Sequence, residues 1–339
     1  MNLHETAGFQ DAILAASKHF RLREVLIEKD YWLTFVLWNL SKSKHKKSAV
    51  FKGGTSLSKA HKIIKRFSED IDLAIICTDE KGAELSGNKI KSLIKAVEAS
   101  IVVPPLESDD SHHLTSKGSK FRKTAHIYPR NVKGDFGQVS DRLILEINAF
   151  ANPDPFQAMQ VSTYVAQYFE SYNKSLISAY QLEPFSINVL DLSRTFAEKV
   201  MALVRACYES DESLNELKRK IRHVYDVSKL MKQSSIQDLL GNQKKFFALI
   251  SAVQTDDQEN QEFQGEWSTK NLSEAEIFRE PRTAFLKLQN TLRGDFQTLL
   301  FDADELPQIA DMRDQFGKLG ALLKIFDARP KPHLHMSTV

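Results

Sequence analysis

Two aspartates, Asp70 and Asp72, stand two positions apart in the apolar run DIDLAII, and the period of a strand puts both carboxylates on one face. Like charges held that close repel. In a strand otherwise fit for burial the natural compensation is a divalent cation, and oxygen donors suit Mg²⁺, which usually brings phosphates with it. Just upstream, FKGGTSLSK sets Gly53 and Gly54 where backbone amides can approach an anion, with Thr55, Ser56 and Ser58 supplying hydroxyls at the start of a following helix. A phosphate cradle followed by a metal-holding pair points to metal-assisted chemistry on phosphate. An isolated D-x-D is more often the edge of a hairpin beside an ordinary loop. Here both halves occur together, at a spacing that one strand-helix-strand unit explains. The loop is not a Walker A motif, because G-x-x-x-x-G-K-[ST] is absent.

The same residues resemble a family. GG-T-S-L-S-K followed by R-F-S-E-D-I-D-L is similar to the first motif of the AbiEii/AbiGii nucleotidyltransferase toxins, the toxin half of type IV toxin-antitoxin and abortive-infection systems within the DNA polymerase β-like superfamily. Lys59 lies in that motif, Arg66 and Ser68 recur in it, and the resemblance implies that all three help bind the nucleotide. Ser68 is close enough in sequence to Asp70 to reach phosphate or a metal-bound water, or it caps local amides as a turn residue.

Three further stretches extend the resemblance. Glu146 sits inside RLILEINAF, where an unpaired carboxylate would be costly to bury. The resemblance makes it the third carboxylate of the site, a metal ligand or general base; its residues also allow an ion pair with Arg142 or Arg122. In FAEKVMALV, Phe196, Val200, Leu203 and Val204 form a helical apolar stripe with Lys199 beside it. Lys199 is then either a snorkelling surface lysine or, by resemblance to the family's K-L-x-A-L motif, a ligand of nucleotide phosphate. RHVYDV resembles the family's R-D-x-Y-D-L element, with His223 in place of its first aspartate and Asp226 matching its second. Asp226 could equally pair with Arg222 one helical turn away. Near the amino terminus, Glu28-Lys29-Asp30-Tyr31 resembles an E-K-D run of the family. Lys29 or Asp30 either braces the site or lies on a solvated helix face.

The elements that position these groups follow from periodicity. Residues 10 to 40 read as two helices, the second with Val25, Tyr31, Trp32, Phe35, Val36 and Leu40 on an apolar face. A strand at 49–51 precedes the glycine turn. The helix after it is expected to carry Lys59, Lys62, Lys65 and Arg66, with Ile63, Ile64 and Phe67 on its core side. A helix near 89–100, a polar loop over 107–119 and two antiparallel strands at 120–128 and 143–150 follow. Beyond Asn152-Pro153-Asp154-Pro155 the patterns are helical, including FFALI and RTAFLKLQNTLRGDFQTLL, with an acidic linker near 256–262. The expectation is an α/β (α+β) fold: a polymerase β-like nucleotidyltransferase lobe over a short mixed sheet at 1–155, a mainly helical lobe at 156–330 that completes the nucleotide site, and a loose tail at 331–339.

With 339 residues, 42% hydrophobic and 27% charged, the chain can bury a sizeable core, and nothing in it suggests disorder. The net charge of +2 argues for no partner by itself, but nine Lys or Arg and no acid lie between Tyr31 and Ser68, and six more, again without an acid, between Lys117 and Gly134. Such patches beside a phosphate site suit a polyanion, although the Lys42–Lys47 stretch alone reads equally as a solvated loop. Two cysteines exclude a disulfide framework and a CxxC metal site. The absence of an apolar run of membrane length or an amino-terminal leader pattern makes a cytoplasmic protein the expectation, with no membrane partner.

The D-x-D pair and the glycine turn imply one or two Mg²⁺ and an NTP as co-substrate; the family resemblance implies RNA, and specifically tRNA, as acceptor and a separately encoded antitoxin, with the basic runs suiting an RNA partner. Two other readings share the core motif: nucleotidyl or phosphoryl transfer to a small molecule or protein, and a non-catalytic NTP-binding module. The basic runs favour RNA over the first, and intact Asp70, Asp72, Glu146 and Lys199 argue against the second.

Overall fold

A computed structural model describes residues 1–79, 81–111, 115–209, 213–260 and 263–330. The tail after Pro330, the centre of the 107–119 loop and the end of the acidic linker lie outside the described residues. The chain divides into two compact units, one of Met1–Thr195 with Gln297–Glu305, the other of Phe196–Phe296 with the residues from Leu306 onward.

The first unit is built on a mixed sheet. Its elements are α1 (Phe9–Phe20), α2 (Glu24–Lys42), β1 (Ala49–Lys52), α3 (Gly53–Lys59), β2 (Asp70–Ile75), α4 (Gly87–Ile101), β3 (Glu107–Ser108), β4 (Thr115–Lys117), β5 (Phe121–Ile127), β6 (Leu143–Asn148), β7 (Phe156–Val161), α5 (Tyr164–Tyr172), α6 (Ser175–Ala179) and β8 (Phe185–Leu190). The strand order is β3-β5-β6-β2-β1-β8-β7, with β4 added to β5. β2 runs antiparallel to β1 and parallel to β6, and β5 antiparallel to β6.

Alternation sorts the two faces of this sheet. Leu143, Leu145 and Ile147 of β6 are buried with Ile71 and Leu73 of β2, whereas Ile144, Glu146 and Asn148 are only half-buried, as are Asp70 and Asp72. α2 and α4 pack against β6. α2 is apolar on more than one face, with Val25, Leu26, Ile27, Tyr31, Trp32, Leu33, Phe35, Val36 and Leu37 all buried, the mark of a helix enclosed by the fold.

Two expectations are corrected. The helix after the glycine turn ends at Lys59, well short of Arg66. Lys62 takes a left-handed φ of 57°, which a continuing helix cannot accept. The chain then forms a bridge to a distant segment, with Phe67 N donating to Leu299 O at 2.8 Å and Phe301 N to Lys65 O at 3.0 Å. The sheet also does not end near residue 155. β8 pairs in parallel with β1, and β7 pairs antiparallel with β8 as an edge strand. β7, FQAMQV, mixes exposed polar and apolar side chains, so its sequence lacks the clean alternation of a half-buried strand.

The second unit is helical: α7 (Leu192–Ala206) for the most part, then α8 (Ser213–Arg219), α9 (Ile221–Leu230), α10 (Ser234–Gly241), α11 (Gln243–Glu259), α12 (Glu276–Arg279), α13 (Pro281–Arg293) and α14 (Ile309–Asp327). Val224, Tyr225, Phe246, Ile250, Phe285, Leu288, Phe316 and Leu319 are fully buried in it. Among the described residues no helix is long and apolar enough to cross a membrane.

Candidate active site

β2 leaves the glycine turn's side of the sheet with Asp70 and Asp72 on its less buried face, and the parallel pairing of β2 with β6 sets Asp72 directly opposite Glu146 and Asp70 opposite Ile144. Opposed residues of paired strands point the same way, so the three carboxylates expected from the sequence share one face of adjacent strands. Crowding shows in their chemistry. Burial, and after it the charges of Glu69 and Glu146, push the Asp70 carboxyl up to about 6, with Lys123 and Lys29 pulling the other way.

That shift carries a stability prediction. A folded-state pKa of about 6 against an ordinary 3.8 means that the folded chain holds the extra proton between those values, so stability falls as pH rises through this window. Above it the ionised Asp70 is a standing cost. Asp70→Asn should therefore stabilise the protein at pH 8 in EDTA by on the order of 1–3 kcal/mol, and the gain should vanish near pH 4. Urea titrations at the two pH values check this; a variant less stable than wild type at pH 8 would contradict it.

The glycine turn is tied closely to the aspartates. Gly53 has a φ of +75°, and a Cβ built on it would lie 1.9 Å from Asp72 Oδ2; one on Gly54 would lie 2.7 Å from both Arg66 Nη2 and Ser68 Oγ. The absent side chains thus make room for the Asp72 carboxylate and for the buried Arg66. Thr55 Oγ1 donates to Asp70 O at 2.6 Å and is 3.0 Å from Ser68 Oγ, which clamps α3 to the first residue of β2. Ser56 donates to Gly53 O and Ser58 to Thr55 O, so these hydroxyl protons serve the turn itself. Gly53→Ala should cost about 1–2 kcal/mol for the left-handed backbone. By displacing Asp72 it should lower activity by about a hundredfold, the scale of a one-ångström misplacement. A steady-state assay and a thermal melt test both parts, and a near wild-type rate would be contrary.

Lys59, expected among the nucleotide-binding residues, is engaged in an ion pair. It is buried, and its Nζ lies 2.5 Å from Asp30 Oδ1. Asp30 Oδ2 also accepts from Tyr164 N at 2.9 Å. The neighbouring charges are equally engaged: Lys29 Nζ is 3.0 Å from Glu69 Oε2 and donates to Ser140 O, and Glu28 accepts from the backbone N–H groups of Asn131 and Val132. Glu28, Lys29 and Asp30 are 1%, 0% and 3% exposed, so the E-K-D run is no solvated face. It fastens three separate loops to α2, and through Glu69 it reaches the residue before Asp70. Burial holds the Lys29 ammonium below its ordinary pKa despite Glu69.

Neither arginine suggested as a partner of Glu146 fills that role. Arg142 pairs with Asp109 at 2.5 Å and with Asp141, and Arg122 with Glu98. The partner is Lys123 of β5, with Nζ 2.5 Å from Glu146 Oε1. Sequence reasoning left Lys123 within a basic run, because only the register of β5 on β6 reveals the pairing. In the second unit, Lys199 Nζ and Asp226 Oδ2 are 2.8 Å apart, with side chains 7% and 0% exposed, so Lys199 is not a snorkelling surface lysine and Asp226 has Lys199 as a partner.

The donor set suits magnesium. Among the described residues no three His, Cys, Asp or Glu side chains form a ready metal cage. Magnesium keeps several waters and is commonly held by one or two carboxylates together with substrate phosphates, which is what Asp70 and Asp72 offer.

The model of the family described as nucleotidyl transferase AbiEii toxin, Type IV TA system, matches residues 36–317. The chain belongs to the AbiEii nucleotidyltransferase toxin family. Its fold is similar to that of MenT4, a nucleotidyltransferase toxin from Mycobacterium tuberculosis H37Rv, with a TM-score of 0.51 at 15% identity over 93% of each chain. No curated protein matches it. The AbiEii match includes the glycine turn, the D-x-D strand, Glu146, Lys199 and Asp226, and begins after the E-K-D run.

Proposed function

We propose that this AbiEii-family chain is a magnesium-dependent toxin that transfers a nucleotide from an NTP to RNA, specifically to the 3′ end of tRNA, and so blocks aminoacylation. The observation that carries the reading is the placement of Asp70, Asp72 and Glu146 on one face of adjacent strands beside a glycine turn whose first Cβ would collide with Asp72. Asp70 and Asp72 would hold the metal. Bound magnesium would supply charge neutralisation at the triphosphate during displacement of pyrophosphate.

The turn at Gly53 and Gly54, with Thr55, Ser56, Arg66 and Ser68 around it, binds the phosphates on the leaving side. Lys59 supports this turn through its ion pair with Asp30. Glu146 would accept the proton of the attacking hydroxyl or serve as a further ligand of the metal. Lys199, kept in place by Asp226, clamps the triphosphate; the family resemblance supports this role. The first unit is the nucleotidyltransferase lobe, and Lys199 and Asp226 belong to the helical unit. The basic runs at 31–68 and 117–134 supply phosphate contacts that hold RNA without reading its sequence. A separately encoded antitoxin restrains the toxin in a cytoplasmic setting and need not touch it.

The test is to incubate the purified protein with Mg²⁺, each labelled NTP and total RNA together with cell extract, and to follow where label goes. Label on tRNA is expected, with growth arrest on expression in a bacterium. Label on a protein or small molecule with RNA untouched would replace this reading by the small-molecule or protein transferase.

A further inference from the structure

The strand register sets four charged residues in one row across the less buried face of the sheet: Lys52 on β1, Asp72 on β2, Glu146 on β6 and Lys123 on β5. Opposed residues share a face and stand about 5 Å apart at Cβ, so the row reads plus, minus, minus, plus. At the β5 end the contact is closed, with Lys123 Nζ on Glu146 Oε1 at 2.5 Å. The Lys123 ammonium also feels the charges of Asp70 and Asp72. Its side chain is 43% exposed and that of Glu146 26%, so the pair lies at the open edge of the carboxylate group and can part without unpacking the core.

An ammonium has three donors and no lone pair to offer a metal. Lys123 holds Glu146 Oε1, so a divalent cation that takes this oxygen must displace the ammonium, and one on the other oxygen has to share the single negative charge of the carboxylate with it. A cation held by Asp70 and Asp72 would in addition repel an ammonium left in place beside it. Without a cation, the same ammonium offsets part of the repulsion among three carboxylates.

We propose that Lys123 is the resident counter-ion of Glu146 and yields this carboxylate when a divalent cation binds, so that Lys123 sets the cation affinity of the site. Lys123 is a positioning residue: it acts on the reaction through Glu146, and its release makes that carboxylate available as ligand or base. The proposal rests on the reading of Asp70 and Asp72 as metal ligands, and its test separates the two.

Mn²⁺ binding to the full chain, without nucleotide, is measured by calorimetry for the wild type, Lys123→Met, Lys123→Arg and Asp72→Asn. Lys123→Met keeps the apolar stem and removes the charge; Lys123→Gln repeats the comparison if the methionine variant folds poorly. Removing one partly exposed ion pair and one nearby positive charge should tighten Mn²⁺ binding by about five- to tenfold, while Lys123→Arg stays near wild type. The gain should shrink when Lys123→Met is combined with Glu146→Gln. Unchanged or weaker binding by both neutral Lys123 variants, with binding still lost in Asp72→Asn, would overturn the counter-ion role and leave the metal reading standing. Wild-type binding that is undetectable, or indifferent to Asp72→Asn, would overturn the metal reading itself.

Discussion

Asp72→Asn should lower nucleotidyl transfer by roughly a thousandfold, the several kcal/mol that a lost metal ligand removes from transition-state stabilisation. The fold should survive. Asp72 lies on the less buried face of β2, between Glu146 and Lys52 in register, so its neighbours carry both signs and asparagine replaces it outside the buried core. Asparagine keeps the shape that fits against Gly53, where a Cβ would lie 1.9 Å from the present oxygen. Growth arrest should disappear with the activity, while circular dichroism shows a folded protein. A folded Asp72→Asn protein that labels RNA at a near wild-type rate would remove Asp72 from the metal site.

Lys199→Met should show the largest loss of stability, about 3 kcal/mol or more, because it leaves the fully buried Asp226 carboxylate without its ammonium partner. Against a typical total of about 5–15 kcal/mol, this alone could end toxicity in a cell. Relief of growth arrest by Lys199→Ala therefore does not by itself show a nucleotide contact. The double variant Lys199→Met/Asp226→Asn separates the effects, since neutralising both partners avoids the stranded charge and should recover most of the stability. Activity that stays absent in the refolded double variant supports a phosphate clamp. Activity that returns with stability would make the pair structural. Urea denaturation and the RNA-labelling rate, measured on both variants, decide it.

The contrast between these two sites tracks what local sequence can encode. The D-x-D strand was legible because its alternation and the glycine turn lie within one short unit, and the β5–β6 hairpin carries its own pattern of alternating apolar residues. Lys123 was not, since a cross-strand partner depends on register. The E-K-D run shows the same limit. Its partners Glu69, Lys59 and the 131–132 amides are distant in sequence, so the charges could be read as solvated, although the apolar faces around them on α2 leave little room for water. Residues 60–69 looked helical because Ile63, Ile64 and Phe67 have helical spacing. A left-handed Lys62 and a return of the chain at 297–305 override that local preference.

The claim that matters most is that this fold transfers a nucleotidyl group. It is tested most directly by incubating the purified protein with tRNA and Mg²⁺ in parallel reactions that carry the label on the α- or the γ-phosphate of each NTP. The account predicts RNA lengthened by one or more nucleotides that retains the α-label, with the γ-label released as pyrophosphate and neither reaction supported by Asp72→Asn. Transfer of the γ-label to the acceptor would contradict it and make the protein a phosphotransferase.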